Sequence, residues 1–173
     1  MCYRIETERL GLRELTSGDF CALCRFLQDR GVMYAWEYAF SAEQVLQFIQ
    51  NQQKRYRKDG FGYYAAVEKQ SGDVIGCMGP LMERIEGKDC YGIGYILAQG
   101  AWGKGYATEA GKASMEYLFA QHGADKVIAE IRPENEASVR VAKRLGMHEE
   151  GSVIKVVNGK KMVHVIYAKY AAQ

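Results

Sequence analysis

The sequence predicts an α/β fold with a mixed, largely antiparallel sheet that contains one central pair of parallel strands. Two patterns predict it. Short apolar runs typical of strands are interspersed with longer runs that have helical periodicity. In addition, a strand-like run at Tyr91–Ala98 precedes a helical pattern that begins near Ala107, and a short apolar strand follows at Lys126–Ile131. A strand–helix–strand unit of this kind places its two strands parallel in one sheet.

Length and composition are those of one globular domain, which we expect to span residues 1–173. Hydrophobic residues make up 48% and charged residues 25% of the chain, so a sizeable core is available. The net charge of +2 argues against a nucleic-acid partner. No apolar run approaches the ~20 residues of a membrane helix, and no signal-peptide core is present at the N-terminus. We therefore expect a cytoplasmic protein without a membrane partner, either a monomer or a homodimer.

Five cysteines are present, and Cys21-x-x-Cys24 has the spacing of some metal and redox sites. No second pair accompanies it, and the three histidines stand far apart in the sequence. The pair also falls within a helical run whose apolar stripe includes Phe20, Leu23 and Leu27. We expect reduced thiols buried on a helix, and no metal site.

The first half of the chain contains signals for strands and for two helices. The predicted elements are a strand at Ile5–Leu15, a helix capped by Thr16 and Asp19 that runs to about Asp29, a helix capped by Ser41 and Gln44 that runs to about Lys58, and a strand pair at Phe61–Glu68 and Val74–Met82. Alternating aromatic residues in segment 30–40 are consistent with a short strand, with core packing or with the wall of a substrate site.

The second half continues with the strand at 91–98, the central helix and the strand at 126–131. A helix capped near Asn135 runs through Leu145, and Gly146 is well placed to end it. Strands at His148–Val157 and Met162–Tyr170 flank an Asn-Gly pair, which is a strong hairpin signal. The predicted order is β-α-α-β-β-β-α-β-α-β-β.

The loop between the strand at 91–98 and the central helix contains Gly100, Gly103 and Gly105. Helix N-termini have unpaired N–H groups and attract anions, and glycines let a phosphate approach the backbone closely. The nucleotide P-loop motif is absent, and the dinucleotide motif fails because its third glycine would fall on Thr108. A tight connection that binds nothing remains an alternative for the loop taken alone.

The residues of this loop resemble those of a known family. Trp-Gly-Lys-Gly-Tyr-Ala-Thr-Glu-Ala at 102–110 is similar to the GNAT N-acetyltransferases, in particular to the branch that acetylates ribosomal-protein N-termini at alanine or serine. The family's motif, Gln/Arg-x-x-Gly-x-Gly/Ala, is matched at Gly105 and Ala107, whereas Trp102 departs from the usual first residue. Pro-x-Asn-x-x-Ser at 133–138 is a second resemblance. The similarity covers nearly the whole chain and is weak between residues 30 and 90.

The resemblance implies a GNAT fold, with helices on both faces of the sheet, and transfer of an acetyl group from acetyl-CoA to an amine, with no metal. The acceptor would be a protein N-terminal α-amine or a small-molecule amine. The parallel strands would separate near Leu97, where backbone N–H groups can stabilise the oxyanion. The implied cofactor-binding residues are Leu97, Trp102, Gly103, Lys104, Gly105, Tyr106, Ala107, Thr108, Asn135 and Ser138.

Two catalytic residues are expected, Ser138 and Glu37. Relatives use a tyrosine to assist the departing thiolate, but its position here is Ala142, which leaves the Ser138 hydroxyl as the candidate. Asn135 would bond the pantetheine arm, although it is also a favoured helix cap.

The general base is less well defined. A glutamate common among relatives is replaced by Gly92, so we expect Glu37, whose pKa its aromatic neighbours could raise, to substitute for it. A surface role for Glu37 and a water chain to solvent are the alternatives, and Glu109 is expected to be structural. The missing tyrosine and glutamate also leave open a CoA-binding regulatory module with weak or lost catalysis.

Overall fold

A computed structural model describes residues 2–172 and contains eight strands and four helices in that range. The strands are β1 Ile5–Glu6, β2 Leu10–Arg13, β3 Tyr64–Glu68, β4 Val74–Ile85, β5 Lys88–Leu97, β6 Lys126–Ile131, β7 His148–Val157 and β8 Lys160–Tyr170. The helices are α1 Phe20–Leu27, α2 Ala42–Asp59, α3 Tyr106–His122 and α4 Glu136–Arg144, with short 3-10 turns at Ser17–Asp19, Tyr34–Trp36 and Gln99–Ala101.

The strands form one sheet in the order β1-β2-β3-β4-β5-β6-β8-β7. Every neighbouring pair is antiparallel except β5 and β6, which confirms the predicted central parallel pair. These two strands are in register only at Gly92 and Ile128. Beyond that point β5 stays paired with β4 and β6 stays paired with β8, so the two halves of the sheet separate and leave an opening between them.

Helices cover both faces of the sheet, as predicted. On one face, α1 and α2 bury an apolar cluster against β3, β4 and β5 that includes Leu23, Phe26, Val45, Ile49, Ala65, Cys77 and Ile96. On the other face, α3 and α4 bury a larger cluster that includes Met78, Ile93, Ala110, Leu118, Ala129, Ala142 and Leu145. Burial of apolar surface on both faces is the main stabilising contribution to this layered arrangement.

Helix α3 lies close to its neighbours because its buried stripe contains small residues. Ala110 and Gly111 face the core, and Ser114 is also buried. A Cβ atom added at Gly111 would lie 2.9 Å from Cδ1 of Leu145. A larger side chain at this position would therefore have to displace the Leu145 side chain.

The local signals for caps and turns are confirmed. Ser41 and Gln44 form a reciprocal capping box at the start of α2. Asn158 and Gly159 both have positive φ, 49° and 78°, and join β7 to β8 as a tight hairpin. Gly146 follows α4 with a φ of 72°, the left-handed conformation expected just after a helix.

Two local expectations were wrong, and one of the alternatives for the aromatic segment is excluded. The first strand is divided, because the Thr7 hydroxyl accepts a 3.0 Å hydrogen bond from the Leu10 amide and turns the chain between β1 and β2. The aromatic segment forms a 3-10 turn at Tyr34–Trp36 rather than a strand, since burial falls on the consecutive residues Val32 and Met33 and does not alternate. Of the Cys21 and Cys24 pair, Cys21 is exposed and Cys24 packs partly into the core.

None of the helices described within residues 2–172 is long and apolar enough to cross a membrane.

Candidate active site

A cleft of 380 Å³ lies where the end of β5, the glycine-rich loop and the N-terminal parts of α3 and α4 meet. It brings together all the cofactor-binding residues expected from the sequence except Lys104. Its wall includes Leu97, Trp102, Gly103, Gly105, Tyr106, Ala107, Thr108, Asn135 and Ser138. Tyr34 and Trp36 of the aromatic segment line the same cleft.

The glycine-rich loop leaves the N-terminus of α3 uncapped. Gly105 is the N-cap residue, with φ of 83°, and has no side chain to satisfy the first N–H groups of the helix. The first helical hydrogen bond runs from the Glu109 amide to the Gly105 carbonyl at 3.0 Å. The N–H groups of residues 106–108 precede that bond, and the positive end of the helix dipole points in the same direction. This end of the cleft therefore suits an anion.

The loop is held to the end of β5 by Trp102. The indole Nε1 donates a 2.8 Å hydrogen bond to the backbone carbonyl of Leu97, while 46% of the Trp102 surface remains exposed. A large aromatic ring at the cleft wall thus has its polar edge satisfied and one face free. Such a face can pack against an apolar part of a ligand.

The start of α3 is also held by the turn between β1 and β2. Arg9 forms a 2.6 Å ion pair with Glu109, and the Thr7 hydroxyl donates a 2.6 Å hydrogen bond to the same carboxylate. The Arg9 guanidinium lies 4.5 Å from the centre of the Tyr106 ring. Glu109 therefore has the structural position that was expected of it.

Asn135 and Ser138 lie at the other end of the cleft, at the start of α4. The Asn135 side-chain oxygen accepts hydrogen bonds from the Ser138 amide at 3.1 Å and from the Tyr34 hydroxyl at 2.8 Å. Asn135 is thus an N-cap that also holds the aromatic segment. The Ser138 carbonyl accepts a 3.1 Å bond from the buried Tyr95 hydroxyl, which fixes the helix start against β5.

Ser138 lines the cleft, so its hydroxyl is close to any ligand bound there. Ala142, one helical turn further on, is fully buried in the core. The position where relatives have a tyrosine therefore faces the core and supplies no hydroxyl.

The expectation of a raised pKa for Glu37 is wrong. Its carboxylate pairs with Lys160 and with Arg132, whose Nη1 lies 3.0 Å from Oε1. The hydrogen bonds from Lys160 and then from Arg132 lower the pKa of Glu37. A carboxylate with two cationic partners is a weak base. Glu37 lies outside the cleft, beside an adjoining pocket of 390 Å³, and connects the aromatic segment to β8 and to the end of β6.

Two arginines that no sequence motif indicated also line the cleft. Arg140 and Arg144 are one turn apart on the exposed side of α4 and face the same space as the glycine-rich loop. Their spacing on a helix that starts at the cleft is the signal that could have identified them. Within residues 2–172, no group of three or more histidine, cysteine, aspartate or glutamate side chains is arranged to bind a metal.

Residues 9–148 match the family model described as an acetyltransferase (GNAT) domain, and this match covers most of the chain. The chain belongs to the GNAT acetyltransferase family. The GNAT domain is similar over 153 residues, at 31% identity, to the uncharacterized protein YkkB of Bacillus subtilis. The matched region is 88% of this chain and 89% of YkkB.

Solved structures share the GNAT fold. A GNAT-family acetyltransferase from Bacillus anthracis superposes with a TM-score of 0.81 and 25% identity, covering 96% of this chain and 97% of that one. RimL, a ribosomal alpha-N-protein acetyltransferase determined in complex with coenzyme A, superposes with a TM-score of 0.76 over 95% of both chains. Its identity to this chain is 20%, so this similarity concerns the fold alone.

Proposed function

We propose that the protein is an acetyl-CoA-dependent N-acetyltransferase that moves an acetyl group to a primary amine. The observation that carries the proposal is the cleft at the point where β5 and β6 separate. An uncapped helix N-terminus lies at one end of this cleft, and Ser138 lies at the other. Such a cleft can hold a pyrophosphate and a thioester at a fixed distance from each other.

Binding of the CoA moiety would rely on main-chain groups. The N–H groups of residues 106–108 would donate to the pyrophosphate, and the absence of a side chain at Gly103 and Gly105 permits close approach. Arg140 and Arg144 add positive charge beside the same anion. The Asn135 side-chain oxygen is already engaged by two donors, so its amide NH₂ group is the part left for the pantetheine arm.

The oxyanion of acetyl transfer would be stabilised at the end of β5. The Ala98 amide donates to Ile75 of β4 at 2.9 Å. Because successive N–H groups of a strand point to opposite sides, the Leu97 amide points toward the opening between β5 and β6. This amide is placed to donate to the thioester oxygen as it becomes negative. Leu97 would therefore stabilise the oxyanion through its backbone amide and not through its side chain.

The reaction requires one bond to form and one to break. The neutral amine nitrogen attacks the acetyl carbonyl carbon, a C–N bond forms, and the C–S bond of the thioester breaks. The thiolate then takes a proton, and the Ser138 hydroxyl is the group we propose to supply or share it. Proton loss from the amine requires a base elsewhere, since Glu37 is held by two cations.

The acceptor is either a protein N-terminal α-amine or a small-molecule amine. The name of RimL supports the first class, although at a sequence identity that concerns the fold alone. Ala142, which replaces the tyrosine, favours a second candidate function, a CoA-binding regulatory module without efficient catalysis. Turnover of acetyl-CoA with an amine distinguishes the N-acetyltransferase from the regulatory module.

The test is a thiol-release assay with acetyl-CoA against alanine- and serine-terminated peptides and a panel of small primary amines. Thermal unfolding with acetyl-CoA, ATP or NAD provides the binding control. We expect acetyl-CoA to raise the melting temperature much more than the nucleotides do, and at least one amine to release thiol. Stabilisation without thiol release from any amine would favour the regulatory module, and equal stabilisation by ATP would contradict CoA binding.

A further inference from the structure

Two glutamates from different strands meet beside the opening between β5 and β6. Glu83 of β4 is in register with Cys90 of β5, and Glu130 of β6 lies two residues beyond Ile128, the register partner of Gly92. Because side chains alternate along a strand, Glu83, Gly92 and Glu130 all project from the same face of the sheet. This is the face that α1 and α2 cover over β3, β4 and β5.

Gly92 leaves room for the Glu83 side chain at this point. A Cβ atom added at Gly92 would lie 3.0 Å from Cγ of Glu83, so the glutamate passes directly over the glycine backbone. Ile96, on the same face of β5, lines the CoA cleft. Glu83 is therefore on the same face of the sheet as this part of the cleft wall.

The pair is partly buried and shares one nearby ammonium. The Glu130 side chain is 7% exposed and that of Glu83 is 24% exposed, and Oε1 of Glu130 has no hydrogen-bond partner within the described residues. Lys155 Nζ of β7 lies 2.5 Å from Oε2 of Glu130 and 3.9 Å from Oε2 of Glu83. One ammonium thus faces two carboxylates, and Oε1 of Glu130 is left unpaired. Burying a carboxylate oxygen without a hydrogen-bond donor is costly, so a purely structural pair is a poor explanation.

Burial, and then the negative charge of Glu130, raise the pKa of Glu83. Lys155 and Arg55 of α2 act in the opposite direction but do not outweigh burial. Tyr63, which directly precedes β3, and His164 of β8 are further titratable groups that face this cluster. A glutamate in this environment is a stronger base than an exposed one, and proton transfer is most efficient when the pKa of the base is near the working pH.

We infer that Glu83 is the general base of the acetyl transfer, and that Glu130 and Lys155 are positioning residues that set its affinity for protons. The inference rests on the proposed function. The Glu83 carboxylate takes one proton from the acceptor ammonium, which becomes a neutral amine and attacks the thioester carbonyl carbon. The second proton of the amine leaves as the amide forms and balances the protonation of the departing thiolate, and Glu83 returns its proton to solvent.

The base also indicates the class of acceptor. A carboxylate that removes a proton suits an acceptor that arrives as a cation. A protonated primary amine has that charge and carries the proton that must be removed.

The test compares Glu83→Gln with the wild-type protein in rate and in pH dependence, using an alanine-terminated peptide and the small-amine panel as acceptors. We expect kcat/KM near neutral pH to fall roughly 10²- to 10⁴-fold, the range for loss of a general base. The loss should shrink as the pH rises, because more acceptor is then already deprotonated. Acetyl-CoA affinity should not change. Glu116→Gln, an exposed glutamate on α3, is the matched control with unchanged rate.

Glu130→Gln and Lys155→Met test the positioning roles, and they keep the inference falsifiable if Glu83→Gln does not fold. Removing the negative charge of Glu130 should move the acidic limb of the pH–rate profile to lower pH, whereas removing the Lys155 charge should move it to higher pH. If the cluster is only structural, the two variants should lose stability while the acidic limb of the pH–rate profile stays in place.

The outcomes separate this inference from the proposed function. A wild-type protein that binds acetyl-CoA but acetylates no amine contradicts the proposed function. A wild-type protein that turns over, together with a Glu83→Gln variant of equal rate and pH profile, overturns only the assignment of Glu83. Carbon-13 NMR of labelled glutamate carboxyl groups gives a readout without acceptor, since one signal should titrate above the ordinary value of about 4.3 and should be lost in Glu83→Gln.

Discussion

The Arg9 guanidinium donates a 2.9 Å hydrogen bond to the backbone carbonyl of Lys104, although the two residues are 95 positions apart. Arg9 also pairs with Glu109 and lies over the ring of Tyr106. The turn between β1 and β2 thus fixes both the glycine-rich loop and the first turn of α3. The orientation of the loop N–H groups depends on a residue that does not itself line the cleft.

Arg9→Ala should therefore weaken acetyl-CoA binding without removing a contact to the ligand. Two charge-assisted interactions are lost, and the loop gains freedom that binding must then restrict. We expect the Kd to rise roughly tenfold, which corresponds to about 1.4 kcal/mol. Isothermal titration calorimetry measures the change. Arg84→Ala, at an exposed arginine in β4 with only a 4.0 Å contact to Asp89, is the control. Equal affinities of the Arg9→Ala variant and the wild type would mean that the loop keeps its shape without Arg9.

Gly105→Val and Lys104→Ala separate backbone geometry from side-chain charge in the loop. Gly105 has a φ of 83°, which a β-branched residue adopts only with strain of about 1–3 kcal/mol. The Lys104 side chain does not line the cleft, and its carbonyl is the group that Arg9 contacts. Gly105→Val should weaken acetyl-CoA binding by more than about tenfold and Lys104→Ala by less than about threefold. If calorimetry gives the opposite order, charge from the lysine is the main contribution to phosphate binding.

Ser138→Ala should affect chemistry more than binding. A hydroxyl that donates to the thiolate acts only as the C–S bond breaks, so kcat should fall about ten- to a thousand-fold while acetyl-CoA affinity changes little. Steady-state kinetics at saturating amine, together with calorimetry, measure the two effects. An unchanged kcat, with acetyl transfer shown to be rate-limiting, would mean that the thiolate leaves without Ser138.

Asn135→Ala should affect acetyl-CoA binding and protein stability more than the chemical step. The Asn135 side-chain oxygen caps α4 through the Ser138 amide and accepts the Tyr34 hydroxyl. Loss of the cap should cost ~1 kcal/mol of stability, and loss of the amide group should raise the Kd for acetyl-CoA. Denaturant unfolding and calorimetry measure these effects. Tyr34→Phe removes one of the two bonds and keeps the cap, so a full loss of stability in that variant would contradict the capping assignment.

The buried pair of Asp19 and Arg13 should make stability depend on pH. Burial alone would raise the pKa of Asp19, but hydrogen bonds from Arg13 at 2.6 Å and from the Thr16 amide outweigh it, so the pKa is lowered. The pair therefore stabilises the fold fully above the unfolded-state pKa of about 3.9, and this stability is lost as the pH falls through the folded-state value. Asp19→Asn should cost about 1–3 kcal/mol at neutral pH and should flatten this acid dependence.

Denaturant unfolding between acidic and neutral pH measures the effect of Asp19. Glu14→Gln is the matched control, because the ion pair between Glu14 and Arg4 is exposed, and such pairs contribute about 0–1 kcal/mol. An Asp19→Asn variant as stable as Glu14→Gln would show that the buried pair adds no more than a surface pair does.

The sequence by itself determined the features that depend on neighbouring residues. The capping box of Ser41 and the Asn158-Gly159 turn are local, because a side chain or a left-handed backbone satisfies groups only a few residues away. The glycine-rich loop is local in the same sense, since strand, glycines and helix N-terminus follow one another in the chain. Periodicity also predicted the helices and the central parallel pair, because each element must bury its own apolar stripe.

Only the tertiary structure decided which charged groups surround the carboxylates near the candidate active site. The aromatic neighbours of Glu37 suggested a raised pKa, but Arg132 and Lys160, both distant in sequence, lower it. Glu83 and Glu130 meet because β4, β5 and β6 align in one register and Gly92 leaves space between them. The pKa of a carboxylate depends on every charge and buried surface within several ångströms. Residues far apart in the chain supply most of these, so sequence patterns do not reveal them.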